Sequence, residues 1–485
     1  MKTLWLIAGA VMSAAGGSAW AQSVAECGPD PVASYVVTYL GEDRFGVAVE
    51  HAVPSNRWDL AFFPLSDRPE GQAESVRDLS AFDANGQPVE IAYVGEGGWE
   101  IDGQGAVRLS YTILADHGEV DWGADGPGKD EVGDHFDDSY VFAGHAFFLL
   151  DWAMPRCAVD VQFDLPDAWQ VTAPWPVENG VYRIADSWSL GQNLFAMGED
   201  AARTVQVGGL NLTWLMDKRL GAITPQVERV MAILPQHYRD FWGQAPGNAF
   251  SVFFMADTMS DGGAFYDSFA MRIAVPLNRA DEINWSHTLA HEVMHLWNQL
   301  GRAQGRNVPE LEWVNEGFTD YLTIKMASQA GILDEAMTEQ RLANLIRRFN
   351  LARTLSPEVS IAAAGQDKPA NWHLIYGGGG LAALFIDAEL SRTDPDRFGA
   401  VLRDLQANAG DGYTFETFMD RFDGLTDGLA SQVYDWLDMR PSNAEIVQRL
   451  GRYGIEAATF GMDEAYVRFE ACGDARCAPV FLAAR

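Results

Sequence analysis

Basic residues are scarce in this chain of 485 residues. Lysine and arginine together number 34 against 68 aspartates and glutamates, so the formal net charge is -34 at pH 7. A surface of this sign repels nucleic acids and anionic membranes, and we expect neither as a partner. The charge indicates a solvated exterior that keeps the protein in solution, and it is compatible with cationic substrates.

Long apolar runs are absent after the N-terminus, where no segment offers the 18 or so apolar residues that a membrane-spanning helix needs. Residues 1–21, MKTLWLIAGAVMSAAGGSAWA, contain one cationic residue, a short apolar run and a small-residue end. This order is typical of a secretory signal peptide that is cleaved before Gln22, and less so of an uncleaved anchor. We therefore expect an exported protein, either periplasmic or secreted.

Cysteine is also rare, with four residues in the chain and no CxxC spacing of the kind that binds zinc. An even number of cysteines in an exported chain favours disulfides over thiol chemistry. Four cysteines allow three connectivities, and the sequence does not choose among them. We expect Cys27 to pair with Cys157, and Cys472 to pair with Cys477 across the short CGDARC loop.

The length and the hydrophobic pattern predict several domains. Residues 22–205 alternate apolar and polar positions between Gly, Asn and Asp clusters, which is typical of a β-rich, sandwich-like domain. An α+β catalytic domain is expected at 206–330, an α-helical domain at 331–445, and a C-terminal tail at 446–485. Helices in the second half are predicted at 285–300, 313–328, 334–353, 381–391, 396–407 and 428–438.

The run AHEVMHLWN at residues 290–298 contains the first candidate site. In a helix, His291 and His295 lie one turn apart on the same face, so both imidazoles reach one ion. Glu292 projects beside that ion, where it takes a proton from a metal-bound water. The HExxH motif also arises by chance in roughly one such chain in a hundred, so further residues have to decide between a zinc site and a core helix.

A catalytic zinc ion needs a third protein ligand and an open position for water. The run LEWVNEGFTDYL at residues 311–322 predicts a helix with Glu316 and Asp320 one turn apart. We predict that Glu316 is the third ligand and that Asp320 accepts the free ring N–H of a ligating histidine. Glu310 and Glu312 compete for the ligand role, but both precede the helix in a segment typical of a loop.

A third histidine, His287, extends the spacing to positions 287, 291 and 295. On a straight helix the outer two residues lie about 12 Å apart along the axis, which is too far for their side chains to share one ion. We therefore expect His287 to be a supporting or core residue beside the site.

These motifs resemble a known family of enzymes. HEVMHLWN followed by EWVNEGFTDYL is similar to the gluzincin zinc metallopeptidases, and the Trp-Asn after the second histidine resembles the glycyl aminopeptidase family. The N-terminal half and the segment IYGGGGLAALFIDAELSR are also similar to that family. The resemblance implies a thermolysin-like catalytic domain and one zinc ion held by His291, His295 and Glu316. It also implies Glu292 as the general base and Tyr376 as the hydroxyl that stabilises the tetrahedral intermediate.

Two positions depart from the family pattern. The family has a lysine in a YxKG arrangement, where this chain has Gly378. The family also has a GGLEH-like strand whose glutamate holds the substrate's amino group, where this chain reads GGAFYDS at residues 262–268 with Phe265 in the glutamate's place. In an extended strand, Asp267 would face the same side about 6.5 Å further on. The candidate substrate-binding residues are therefore Gly262, Gly263, Phe265 and Asp267.

The predicted function is an exported zinc metallopeptidase that acts on peptides as an aminopeptidase. The departure at Phe265 leaves open an endopeptidase with relaxed N-terminal recognition, or an inactive peptide-binding protein of the same fold. The presence of Glu292 argues against the inactive protein, because a structural zinc ion needs no general base beside an open coordination position. A packing role is the alternative for Tyr376, and His373 is a weaker candidate for the same region. The oligomeric state is left open.

Overall fold

The computed structural model describes most of the chain. The predicted signal peptide and Cys477 lie outside the described residues. The predicted disulfide between Cys472 and Cys477 therefore lies outside them as well. In the described part, no helix is both long and apolar enough to cross a membrane. The described residues are Cys27, 30–64, 68–101, 105–115, 133–151, 157–243, 249–258, 260–303, 306–438, 441–460, 464–472, 475–476 and 478–483.

Strands predominate in the first half of the described chain and helices in the second. The strands are β1 (Ala33–Gly41), β2 (Arg44–Ser55), β3 (Arg57–Asp59), β4 (Val76–Phe82), β5 (Pro88–Val89), β6 (Ile91–Gly95), β7 (Gly98–Ile101), β8 (Ala106–Leu114), β9 (Asp134–Phe136), β10 (Ser139–Ala143), β11 (Val159–Asp164), β12 (Gln170–Thr172), β13 (Val177–Glu178), β14 (Val181–Ile184), β15 (Leu194–Gly198), β16 (Arg203–Val207), β17 (Leu210–Met216), β18 (Ala249–Asp257), β19 (Asp261–Ala264), β20 (Ser268–Ala274), β21 (Arg302–Ala303), β22 (Arg306–Asn307), β23 (Ile455–Phe460), β24 (Glu464–Phe469), β25 (Ala471–Cys472) and β26 (Ala475–Arg476).

The helices lie mainly after residue 224. The α-helices are α1 (Gly144–Phe147), α2 (Ser187–Gly191), α3 (Thr224–Trp242), α4 (Arg279–Met294), α5 (Thr319–Gln329), α6 (Glu335–Leu355), α7 (Lys368–Leu390), α8 (Arg397–Ala407), α9 (Phe415–Thr426), α10 (Ala430–Asp438) and α11 (Asn443–Gly451). A π-helix covers Trp313–Phe318, and short 3-10 helices cover Gly71–Ser75, Lys218–Ile223, Pro309–Leu311 and Ala364–Asp367.

These elements form two compact units. The first consists of the described residues of Met1–Val205, Asn211–Thr224 and Asn248–Trp285. The second consists of those of Gln206–Leu210, Pro225–Gly247 and Ser286–Arg485. The multidomain fold class, with a β-rich N-terminal part and a helical C-terminal part, is confirmed. The finer boundaries predicted at residues 205, 330 and 445 stay predictions.

The sheets of the first unit follow the alternation seen in the sequence. In β2, the buried Phe45, Val47 and Val49 alternate with the exposed Ala48 and Glu50, because successive side chains of a strand face opposite sides. In the described residues, β2 lies inside a sheet of order β13-β14-β11-β1-β2-β8-β4-β5. Its buried side chains share one hydrophobic core with those of a second sheet, of order β12-β15-β10-β9.

A disulfide fastens the start of the described chain to this unit. Cys27 and Cys157 are bonded, as predicted, and Cys157 is buried close to the start of β11. The bond spans 130 residues of sequence, so it removes a large amount of conformational freedom from the unfolded chain.

A further sheet of the first unit has the order β16-β17-β18-β20-β19. Strand β18 is parallel to both of its neighbours, β17 and β20, and its residues from Phe250 to Met255 are all buried. A continuous apolar run is expected for a parallel strand that is covered on both faces. Strand β19 lies at one edge of this sheet and is antiparallel to β20.

Helix α7 of the second unit contains four consecutive glycines, at 377–380. A Cβ atom at Gly379 would lie 2.5 Å from the carbonyl oxygen of Trp313, and one at Gly317 would lie 2.5 Å from the backbone of Gly379. The glycines therefore let α7 pack directly on the π-helix, which contains Glu316. Helix α7 begins at Lys368, well before its predicted start at residue 381, so the glycines lie inside the helix.

Candidate metal centre

Two helical segments of the second unit bring His291, His295 and Glu316 together. The Nε2 atom of His291 lies 3.1 Å from Oε2 of Glu316 and 3.1 Å from Nε2 of His295. The Nε2 atom of His295 lies 3.2 Å from the same glutamate oxygen. Helix α4 ends at Met294, but the amide of His295 still bonds to the carbonyl of His291, so the two rings keep their spacing of one turn. Glu316 is presented by the π-helix, a geometry often found at functional sites.

The separations of these donor atoms fit a zinc ion. Donors placed about 2.0–2.1 Å from a tetrahedral ion lie about 3.3 Å from one another, close to the 3.1 and 3.2 Å observed. Two imidazole nitrogens and one carboxylate oxygen form a donor set typical of catalytic zinc, and three ligands leave the fourth position for water. The side chains of His291 and Glu316 are buried, and that of His295 is partly exposed.

Asp320 lies behind the histidines, one turn after Glu316. Its Oδ1 atom is 2.5 Å from Nε2 of His287 and 3.5 Å from Nδ1 of His291. Its Oδ2 atom accepts a hydrogen bond from Arg348 at 3.1 Å. The carboxylate is therefore placed to orient the ring of His291. His287, His291 and Asp320 also form a group close enough to hold a metal, but the cation of Arg348 on Asp320 disfavours a second ion there.

Buried carboxylates control protonation at this centre. Burial acts to lower the pKa of His291, but hydrogen bonds to Asp320 and Glu316 outweigh it and raise the pKa to about 10. Burial acts to raise the pKa of Glu316, but the charges of Lys368 and His295 outweigh it and hold the pKa well below its usual value. Glu316 is therefore ionised at neutral pH, and a metal ion that binds His291 would displace its proton.

Glu292 and Tyr376 lie beside the donor atoms. The ring of Tyr376 stacks on that of His291 with centroids 5.5 Å apart, and its hydroxyl hydrogen-bonds to Glu316. Burial and the charges of Glu316 and Glu292 raise the pKa of Tyr376 well above its usual value, so it is a hydrogen-bond donor at neutral pH. The charge of Glu292 also acts on His291, and its side chain is partly exposed. The alternative residue, His373, lies on the same helix with a pKa that burial lowers to about 4.

Sequence reasoning missed two cations at this centre, Lys368 and Arg348. The Nζ atom of Lys368 lies 2.6 Å from Oε1 of Glu316 and 3.0 Å from Oε2 of Glu312. The guanidinium of Arg348 lies over the ring of Tyr376, 5.4 Å from its centroid. Neither residue belongs to a motif, and 52 residues separate Lys368 from Glu316. Helix packing brings them to the site, and sequence spacing gives no signal of it.

The competing carboxylates have other partners. Glu312 is buried and hydrogen-bonds to Asn307 and Lys368, and Glu310 accepts a hydrogen bond from Gln366. Glu312 lies at the helical end of the segment predicted to be a loop, directly before the π-helix. Their observed contacts are with these partners, whereas Glu316 faces both histidines.

The GGAFYDS segment belongs to the first unit. Gly262 and Gly263 lie in the edge strand β19, and Phe265 and Asp267 lie in the turn before β20. A hydrogen bond from the amide of Phe265 to the carbonyl of Ser268 closes this turn, so the alternation of an extended strand does not place Asp267 beside Phe265. Burial raises the pKa of Asp267 to about 6. The part of these four residues in substrate binding stays a prediction.

Two family models match the chain. The Peptidase M61 N-terminal domain matches residues 66–190, and the M61 glycyl aminopeptidase matches residues 284–374, which include the two histidines and Glu316. No curated protein sequence gives a significant match. The two models confirm the resemblance predicted from the HEVMHLWN and NEGF motifs, and indicate an enzyme of the aminopeptidase type.

Solved structures share the fold at low sequence identity. An aminopeptidase N family protein from Idiomarina loihiensis has a TM-score of 0.68 at 17% identity, over 88% of this chain and 79% of that one. An M1 zinc metallopeptidase from Deinococcus radiodurans has a TM-score of 0.52 at 17% identity, over 84% of this chain and 94% of that one. A mutant of the latter, bound to a Tyr-Ser-Ala substrate, has a TM-score of 0.52 at 15% identity, over 84% and 94% of the two chains. These likenesses confirm the thermolysin-like fold.

Proposed function

We propose that this chain, which belongs to the glycyl aminopeptidase family of gluzincin zinc metallopeptidases, is an exported aminopeptidase that uses one zinc ion. The observation that carries the proposal is the convergence of ligand atoms from His291, His295 and Glu316 within 4.8 Å of one another. The apolar N-terminal segment and the bond between Cys27 and Cys157 support export, because disulfides persist in oxidising compartments.

The metal ligands of the proposal are His291, His295 and Glu316. A zinc ion held there supplies a Lewis acid that polarises the substrate carbonyl and lowers the pKa of water. Asp320 orients the ring of His291 through Nδ1, so that Nε2 points toward Glu316 and His295.

Two further side chains would perform the proton chemistry. Glu292 accepts a proton from the attacking water and delivers it to the leaving amine, which combines the roles of general base and general acid in one carboxylate. Tyr376 donates a hydrogen bond to the carbonyl oxygen on which negative charge develops. Its raised pKa keeps the donor proton in place at neutral pH.

Digestion of a mixed peptide library is expected to give products shortened one residue at a time from the N-terminus. An aminopeptidase recognises the free amine, so an N-acetylated copy of the library should remain intact, and mass spectrometry separates these results. Internal cleavage of both libraries would instead favour the endopeptidase alternative that Phe265 leaves open. No cleavage of either library by the zinc-loaded protein would contradict the proposal.

Tyr376→Phe is expected to lower kcat by about 10²–10³-fold, because one donor to the developing oxyanion is lost. The change keeps the ring that stacks on His291 but removes the hydroxyl that bonds to Glu316, so kcat is compared on preparations saturated with zinc. Steady-state kinetics on one peptide and metal analysis measure both. Tyr321→Phe is the matched control, since the Tyr321 hydroxyl bonds to the buried Asp387. A kcat for Tyr376→Phe equal to that of the control would assign Tyr376 to packing alone.

A further inference from the structure

A lysine ammonium group touches one oxygen of the third proposed ligand. Lys368 is the first residue of α7, and its Nζ atom lies between Oε1 of Glu316 at 2.6 Å and Oε2 of Glu312 at 3.0 Å. Both carboxylates are buried, with side chains 6% and 5% exposed, and that of Lys368 is 17% exposed. Bonds between ions with so little exposure are geometrically specific, because water competes weakly for the donors.

The two oxygens of Glu316 have different surroundings. Oε1 accepts hydrogen bonds from Lys368 and from the side-chain amide of Asn315, the latter at 3.0 Å. Oε2 lies 3.1 Å from Nε2 of His291 and 3.2 Å from Nε2 of His295. Lys368 and Asn315 thus engage Oε1, and Oε2 is turned toward the histidines. The Tyr376 hydroxyl is a further hydrogen-bond partner of this carboxylate.

From this asymmetry we infer that Lys368 is a positioning residue, which holds Oε1 so that Glu316 binds zinc through Oε2 alone. The inference rests on the proposed function, in which Glu316 is a zinc ligand. Partners that orient a ligating carboxylate commonly change metal affinity by about 10–100-fold when they are removed.

The backbone that carries Lys368 is held firmly. The 3-10 helix Ala364–Asp367 precedes α7, and a Cβ atom at Gly365 in that helix would lie 1.9 Å from the carbonyl oxygen of Pro309. The same Cβ would lie 2.9 Å from Cβ of Glu312, so the turn packs directly on the segment before the π-helix. The side chain of Asp367 then caps α7 by accepting from the amide of Ala370. Lys368 therefore has little freedom to move away from Glu316.

Lys368 has a second role besides holding Glu316, which is to neutralise Glu312. The ammonium also neutralises Glu312, so a variant that lacks only Lys368 leaves two buried carboxylates without their shared cation. Removing Glu312 and Lys368 together keeps the buried charge balanced and leaves Glu316 without its ammonium partner. The comparison of Glu312→Gln with the double variant Glu312→Gln/Lys368→Met therefore isolates the contact between Lys368 and Glu316.

The test measures zinc affinity by competition with a chromophoric chelator, in the absence of substrate, together with the visible spectrum of the Co²⁺-loaded protein. Glu312→Gln should bind zinc like the wild type. The double variant should bind about 10–100-fold more weakly, with an altered Co²⁺ spectrum as the carboxylate reorients. Lys368→Arg keeps a cationic donor for Oε1, and it should lose less affinity than the double variant.

Equal zinc affinity and equal spectra for Glu312→Gln and the double variant would overturn the inference, as would a Lys368→Arg loss as large as that of the double variant. Lys325→Met/Asp387→Asn removes another buried ion pair of the second unit and controls for general destabilisation. It should lower the midpoint of thermal unfolding without changing zinc affinity. Failure of the proposed function gives a different result, because the wild type would then bind no zinc or Glu316→Gln would bind it as tightly as the wild type.

Discussion

Glu292→Gln is expected to lower kcat for peptide hydrolysis by about 10²–10⁴-fold and to leave zinc binding intact. An amide has the shape of the carboxylate but cannot accept a proton, so the attacking water would keep both of its protons. Zinc binding should survive because the donor atoms come from His291, His295 and Glu316, not from Glu292. Steady-state rates on one peptide, with zinc content from metal analysis of the same preparations, measure both effects.

The matched control for this substitution is Glu310→Gln. Glu310 lies on the same unit and hydrogen-bonds to Gln366, so its amide variant should turn over peptide at the wild-type rate. A Glu292→Gln protein as active as this control would show that another group is the base. A zinc-loaded wild type with no turnover would favour the peptide-binding alternative instead.

The candidate donors of the centre could be predicted from the sequence because they lie at short spacings. His291 and His295 lie four residues apart, and the helical period alone puts them on one face. Glu316 and Asp320 were found by the same argument, although the structure forms a π-helix at Glu316 and an α-helix from Thr319. A π-helix shifts the helical register by only a fraction of a turn, so Glu316 and Asp320 still lie on adjacent faces of the helix.

The parts that the sequence did not predict depend on packing between distant segments. Lys368 and Arg348 reach the site from α7 and α6, and no local pattern marks either residue. The glycines before residue 381 lay outside the predicted helix 381–391, whereas the structure has them inside α7, where one of them lets the helix approach Trp313 closely. The alternation of side chains along a strand does not extend to Asp267, because the strand ends at Ala264 and a turn follows.

The packing of α7 explains why this chain has Gly378 where the family pattern has a lysine. A Cβ atom at Gly378 would lie 2.9 Å from the side chain of Ile361, and the carbonyl of Gly378 accepts a hydrogen bond from Trp436. A lysine at this position would have to displace Ile361. The cation that α7 supplies to the centre is that of its first residue, Lys368.

His295→Ala is expected to weaken zinc binding by about 100-fold or more and to abolish hydrolysis at limiting zinc. Apparent zinc binding free energies of about 10–16 kcal/mol for four-ligand sites correspond to about 3 kcal/mol for each ligand, which gives this factor. His295 is the best position for the test, because its side chain is more exposed than those of His291 and Glu316. Its substitution should therefore disturb the core least. Chelator competition measures the affinity, and circular dichroism checks the fold.

The wild type supplies the complementary experiment. Dialysis against a chelator should remove its activity, and added zinc should restore it, whereas His295→Ala should regain activity weakly and only at higher zinc concentrations. His237→Ala is the histidine control, because His237 lies on α3, away from the HEVMH segment in sequence, and is partly exposed. A His295→Ala protein with the zinc affinity of this control would exclude His295 as a ligand. The roles of Glu292, Tyr376 and Lys368 depend on this donor set, so that result would exclude them as well.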